Sequence, residues 1–277
     1  MSDFVKILAR IVLFIVLASL IYVFLDFLVS GVPALGSTRA RQILLPWLLL
    51  VSVVIPTLAF VRFDRLPWST LGLDRRAASP QLLLKGLAFG ALSIGVASLF
   101  LLALGELRIL PRTPGSWWSA AAVSVFVLLP AAFVEELFMR GYLFAILRRV
   151  GGWRLALIVT SFVFGAIHSW NPGADAESIL AVTVAGFFLG AILLATKSLY
   201  AAGMAHFAWN WVMAGALHTP VSGISSPVVD YETVDAGPDW LTGGPWGPEG
   251  GLAAVVAMFV VVFYLYGRYL RRLEWTA

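Results

Sequence analysis

The chain contains no cysteine. Disulfides, thiolate metal sites and cysteine nucleophiles are therefore excluded. Charge is scarce too: only 12% of the 277 residues are Asp, Glu, Lys or Arg, against about a quarter in a typical soluble domain. The sequence also lacks a G-x-S-x-G elbow and an H-E-x-x-H pair, which removes the usual sequence marks of serine hydrolases and zincins. No internal repeat, low-complexity tract or second domain is visible, so residues 1–277 read as a single transmembrane domain. The basic residues are spread through short connections rather than clustered, which argues against a nucleic-acid partner.

What is present is apolar. The composition is 60% hydrophobic and the mean hydropathy is +0.91. Such a chain cannot cover itself with polar surface, so the lipid bilayer must be its main solvent. The 11 Trp and 7 Tyr suit aromatic belts at membrane interfaces. The N-terminal stretch resembles a signal peptide, but its apolar run from Ile11 continues past Asp26, which predicts an uncleaved first span.

A span takes roughly 20 mainly apolar residues. Runs of that kind lie near 9–30, 43–61, 82–104, 117–138, 154–170, 178–196, 199–217 and 251–267. The expected fold is all-α, a polytopic membrane bundle of about eight transmembrane helices. With both termini cytoplasmic, the 15 basic residues on that side include Lys6, Arg10, Lys85, Lys197 and Arg272, and only Arg39, Arg41, Arg108 and Arg112 fall outside. That bias supports the count and the orientation, and the expected location is the plasma membrane. Residues 62–80 read as a polar cytoplasmic connection with a short interfacial helix. Residues 218–250 are acidic and rich in Gly and Pro, without Lys or Arg, and read as an irregular outer loop folding over the bundle.

Against this background, polar residues inside the spans stand out. Residues 134–142 read VEELFMRGY, with Glu135, Glu136 and Arg140; His168 ends SFVFGAIH, and HFAWN holds His206 and Asn210. An ionisable group at depth costs ~2.5–3.5 kcal/mol on insertion scales and marks a functional site by default. Glu136 and Arg140 are i,i+4 neighbours suited to an ion pair. Glu135 sits about 100° round the helix, so one glutamate can hold the arginine while the other stays free. His206 and Asn210 are i,i+4 as well, as are Phe164 and His168. Gly151-Gly152 is the natural turn between the fourth and fifth spans, and Glu135 and His168 are equally far from its centre in sequence. Two antiparallel helical arms would put both on the order of 20 Å above the turn, level with each other. The expectation is convergence in the cytoplasmic half of the bilayer.

A glutamate and a histidine sharing one water can deprotonate it for attack on a carbonyl, a contribution of ~10²–10⁴-fold. A second histidine and an asparagine suit an oxyanion hole, where one donor is worth ~10²–10³-fold. Together these parts describe amide hydrolysis without a covalent intermediate. The same Glu135, His168 and His206 could instead bind zinc or another divalent metal with a water. The reading without a cofactor is preferred, because Asn is a poor zinc ligand and a good donor.

EELFMR fits E-E-x-x-x-R, FGAIH fits F-x-x-x-H and HFAWN fits H-x-x-x-N. In that order, within separate apolar spans, they resemble the CPBP family of intramembrane proteases, the CAAX proteases and bacteriocin-processing enzymes that include the type II CAAX prenyl endopeptidases. The resemblance covers about residues 115–217. It implies an eight-helix intramembrane endopeptidase acting on a peptide or protein substrate at the membrane, of prenylated CAAX or bacteriocin type. By motif, Glu135 would be the base acting on water with His168. His206 and Asn210 would stabilise the oxyanion, with Glu136 and Arg140 as supports. The family is often labelled metalloprotease, although the glutamate mechanism needs no metal.

Plainer readings stand beside these. Glu136–Arg140 is a structural pair in its own right. Each histidine taken singly could tie helices together, the small residues of spans five to seven suit close packing, and His218 ends the seventh span with no assigned role. Two other functions compete: a non-catalytic scaffold or immunity protein on the same fold, and a proton-coupled transporter. The second lacks the inverted repeat and paired broken helices expected of one.

Overall fold

The computed structural model describes residues 3–32, 35, 37–225 and 229–271. Arg272, one of the basic residues counted above, and residues 226–228 of the outer loop lie outside them. The protein is an all-α polytopic bundle. Among the described residues, six helices are long and apolar enough to cross a membrane. One of the six, Trp117–Trp170, spans 54 residues. It is two rods, because Gly151 and Gly152 leave helical geometry and Gly152 takes a φ of +73°. The segment Leu199–Leu217 adds a further, more polar rod. Eight rods result, in the order expected.

The helices are α1 (Asp3–Ser30), α2 (Thr38–Phe63), α3 (Pro80–Leu104), α4 (Trp117–Leu137), α5 (Leu143–Ile167), α6 (Ala176–Thr196), α7 (Leu199–Trp211), the single turn α8 (Asp239–Thr242) and α9 (Leu252–Leu265). Their outer faces are bare hydrocarbon, as at Leu13, Leu20, Phe24 and Phe27 of α1, which only lipid can solvate cheaply. Of the six apolar spans the most buried is α6, with 67% of its apolar window inside the bundle. A capping box starts it: Asp175 accepts from the Ser178 amide, and the Ser178 hydroxyl accepts from the Asp175 amide.

Small residues set the packing around the site. A Cβ on Gly86 would sit 2.2 Å from the Ala201 carbonyl oxygen, and one on Gly90 only 1.9 Å from that of Ala205. The backbones of α3 and α7 thus touch directly through a glycine pair four residues apart. Gly165 packs on Thr183, Gly186 on Ser161 and Gly190 on Leu157, which fixes α5 antiparallel to α6. Pro130 inside α4 cannot donate to the Phe126 carbonyl. Trp47 of α2 does so instead, at 3.1 Å, binding the two helices together.

The connections sort to two ends. At one end, residues 62–80 dock on the start of α7 through Leu199 N–H to the Gly72 carbonyl (2.9 Å) and the Ser198 hydroxyl to the Ala77 carbonyl (2.6 Å). Of the short helix expected there, only a 3-10 turn, Trp68–Thr70, forms. At the other end, the outer loop is more ordered than its composition suggests. Its strand β2 (Tyr231–Asp235) pairs antiparallel with β1 (Leu107–Pro111), Leu107 opposite Asp235. Arg112 with Glu232 and the Gly115 amide with Asp230 extend that seam.

Candidate active site

The site begins where α4 stops being an α-helix. After Leu137 the chain makes a π-helical turn, Phe138–Tyr142, with Gly141 at φ −83°, ψ −119°. Such turns are rare and recur at functional sites. The turn is clamped from outside. The Tyr142 hydroxyl donates to Asp64 (2.5 Å), and Asp64 also pairs with Arg10 (2.8 Å). The Tyr142 ring packs on Phe14 and Phe60. Helices α1 and α2 thereby hold the segment that aims the two glutamates.

Glu136 and Arg140 form the expected pair, Nη1 to Oε1 at 2.8 Å, with neither side chain exposed. Arg140 also donates to the Gly186 carbonyl of α6 (3.1 Å), and its guanidinium lies 4.4 Å from the Phe164 ring centroid. A contact invisible in sequence follows: His206 Nδ1 lies 3.1 Å from the same Glu136 oxygen. Glu136 therefore joins α4 to α7 as well as holding Arg140.

Glu135 faces elsewhere. Its Oε2 lies 3.9 Å from His168 Nε2 and 3.9 Å from His206 Nε2, and accepts no hydrogen bond from any described residue. Both imidazoles have the other nitrogen engaged. His168 Nδ1 is 2.7 Å from the Phe164 carbonyl, an acceptor only, so Nδ1 carries the proton. His206 Nδ1 meets the Glu136 carboxylate and donates in the same way. In their neutral forms both Nε2 atoms then present lone pairs toward Glu135. Asn210 lies one turn along α7 from His206 and lines the same cavity of about 30 Å³ as His168 and His206. A second hollow, an apolar groove of about 310 Å³, reaches Glu135 from the other side. Its walls are Ala18, Tyr22 and Val23 of α1, Leu49 and Val53 of α2, and Phe138 and Met139.

Residues 116–212 match the family model described as Type II CAAX prenyl endopeptidase Rce1-like. The chain carries an Rce1-like domain. That matched segment is similar to the intramembrane CAAX-type proteases, and peptidase is the class of activity that family supports. Glu135, Glu136, Arg140, His168, His206 and Asn210 all lie inside the matched segment, while α1 to α3 and residues 213–277 lie outside it. No curated protein and no solved structure matches the chain.

The Rce1-like domain has donor types that zinc accepts, two imidazoles and a carboxylate. A tetrahedral zinc holds its ligand atoms about 3.4 Å apart; Glu135 Oε2 lies 3.9 Å from each Nε2. Among the described residues no group of three or more His, Asp or Glu side chains is arranged to hold a metal ion.

With Gly165 packed on Thr183 and Ile179, His168 falls beside the first turn of α6, and Arg140 reaches Gly186 at its middle. Glu135 and His168 are level with each other, 3.9 Å apart, as their equal sequence distance from Gly151-Gly152 leads one to expect.

Sequence reasoning missed Glu249 and Ser222, which line the same cavity as the two histidines. Both come from the outer loop, where no periodicity marks a residue as inward-facing. His218, left without a role, is buried, with Nδ1 donating to the Tyr231 carbonyl (2.7 Å) and its ring stacked on that tyrosine.

Proposed function

We propose that this protein is an intramembrane endopeptidase that hydrolyses peptide bonds of membrane-associated substrates with an activated water and no cofactor. The observation that carries the reading is the Glu135 Oε2 atom, without a hydrogen-bond partner among the described residues and equidistant from two histidine Nε2 atoms. A gap of 3.9 Å is too long for a direct hydrogen bond and suits a water shared between the groups. Glu135 takes the water's proton. His168, with its Nδ1 proton fixed on the Phe164 carbonyl, offers a lone pair that orients the same water. As the tetrahedral intermediate forms, Asn210 donates through its carboxamide to the oxyanion. His206 can donate there only through Nε2, because Nδ1–H is committed to Glu136. The oxyanion role therefore requires His206 as imidazolium, with Glu136 as its counter-charge. Collapse of the intermediate returns the proton from Glu135 to the leaving amine.

The apolar groove at Glu135 suggests the route of approach: a substrate segment travelling in the lipid-facing layer reaches the carboxylate between α1, α2 and the π turn. Prenylated CAAX proteins and bacteriocin-type precursors are both substrates of that kind. Glu136 and Arg140 position the site rather than react. The placement we favour is the plasma membrane, with both termini cytoplasmic. The test is cleavage of a peptide library, with and without a prenyl group, by purified wild type and Glu135→Gln, each before and after exhaustive chelation. The carboxamide is near-isosteric but is no base, so turnover should vanish in the variant and survive the chelator. Full turnover by Glu135→Gln would remove the general base. Loss on chelation with recovery on added zinc would replace the water mechanism by a metal-dependent one and leave the peptidase standing.

A further inference from the structure

The outer wall of the cavity behind His168, His206 and Asn210 comes from a part of the chain beyond the family match. Glu249, in the turn before α9, is 8% exposed, and both of its oxygens are engaged. Oε2 accepts from the Trp209 indole N–H at 2.8 Å. Oε1 accepts from the Ser222 amide at 2.6 Å and from its hydroxyl at 2.7 Å. The Ser222 carbonyl in turn accepts from the Asn171 side chain at 3.0 Å, and the Asn171 amide donates to the His168 carbonyl at 3.0 Å. Trp209 immediately precedes Asn210 and follows His206 by three residues. A continuous bridge thus runs from the turn after His168, across the cavity, to the face of α7 that carries the two other polar groups.

The backbone at the bridge is unusual. Ser222 holds a φ of +49°, a left-handed conformation that a non-glycine keeps only where its surroundings over-determine it, commonly at functional sites. At Gly223, φ +76°, a Cβ would meet the Pro172 carbonyl at 2.0 Å, so the turn is seated directly on the loop that follows His168.

We propose that Glu249 is a positioning residue of the site: the Trp209–Glu249–Ser222–Asn171 bridge sets the separation between His168 and the His206–Asn210 face. A carboxylate is specifically suited, since donors on opposite sides each need an acceptor oxygen. Glutamine has one acceptor oxygen, and its NH₂ must then oppose either the indole N–H or the Ser222 amide. The kinetic part of the test rests on the peptidase reading; the exchange part does not.

The experiment compares Glu249→Gln, Trp209→Phe and the double variant in the full-length protein, using a peptide that wild type cleaves. A misplaced group of this kind should lower kcat for Glu249→Gln by about 10- to 100-fold, with KM within about twofold and the thermal midpoint of wild type. In the double variant the phenylalanine removes the opposing N–H. It should keep more activity than the product of the two single effects. Hydrogen exchange of the 168–173 and 218–224 amides should quicken in Glu249→Gln. Unchanged kcat, a fall in rate matched by loss of folded protein, or strictly multiplicative single effects would each overturn the proposal. If wild type cleaves nothing, the peptidase reading fails; quicker exchange in both segments would still support the bridge, and unaltered exchange would overturn it.

Discussion

Replacing Arg140 by methionine removes one member of a fully buried ion pair while filling much of its volume. Glu136 then keeps its carboxylate inside the bundle with only His206 beside it. Breaking such a pair costs about 3–5 kcal/mol, chiefly because an uncompensated charge stays behind. The Gly186 carbonyl loses its side-chain donor, but it is a helix carbonyl in α6 and the smaller term. The guanidinium–ring contact with Phe164 adds about 0.5–2 kcal/mol. Against a total stability of about 5–15 kcal/mol, the charge term alone takes a large share. With about 2–4 °C lost per kcal/mol in a chain of this size class, the midpoint should fall by roughly 6–20 °C.

The reasoning is tested by the second substitution. Glu136→Gln combined with Arg140→Met removes the orphaned charge, and the carboxamide oxygen still accepts from His206 Nδ1. Thermal unfolding of purified protein in mild detergent, with fluorescence-detected size exclusion for the folded fraction, should show most of the loss recovered in the pair. If the double variant is as unstable as Arg140→Met alone, the cost lies in arginine packing and the charge argument is refuted.

Three further outcomes follow from other parts of the fold. Reporter fusions at Pro80 and Gly237 should give opposite sidedness, because those residues belong to opposite ends of the bundle; the same sidedness would sink the eight-rod topology. Gly90→Leu should part α3 from α7 next to His206, costing about 1–3 kcal/mol or more and most activity. Gly95→Leu, with nothing within 4 Å of its Cβ position, should leave both intact. Asp175 has its carboxyl held below the usual range by hydrogen bonds from Ser178. The cap therefore stabilises above the unfolded carboxylate pKa of about 3.9 and is lost as pH falls through the lower folded value. Asp175→Ala should destabilise by about 1 kcal/mol at neutral pH, with the gap to wild type closing in acid; a gap that persists there would rule out the charged cap.

Legibility in the sequence followed distance along the chain. Glu136–Arg140 could be read because i,i+4 neighbours must meet on any helix. The level pairing of Glu135 with His168 could be read because Gly151-Gly152 interrupts the helix midway between them. The Glu136–His206 contact joins residues 70 apart, and helical periodicity says nothing about which faces of α4 and α7 meet. The pairing of β1 with β2 and the inward aim of Glu249 escaped notice because β2 and Glu249 lie in a Gly- and Pro-rich segment where composition is the only signal.

The adjacent glutamates make sense once their partners are set side by side. Glu136 shares one oxygen between Arg140 and His206, so charge neutralisation in the lipid-embedded core and the orientation of an imidazole depend on the same atom. Glu135, one residue earlier, turns to the groove, and its Oε2 has no hydrogen-bond donor among the described residues. Two carboxylates spaced further apart along α4 would need two separate sets of cations. At adjacent positions, one arginine serves the inner carboxylate while the outer one faces the two histidine Nε2 atoms. That asymmetry predicts opposite phenotypes for the same Glu→Gln change: at Glu135 it should remove turnover and spare the fold. At Glu136 it should leave Arg140 the uncompensated charge and weaken the fold first.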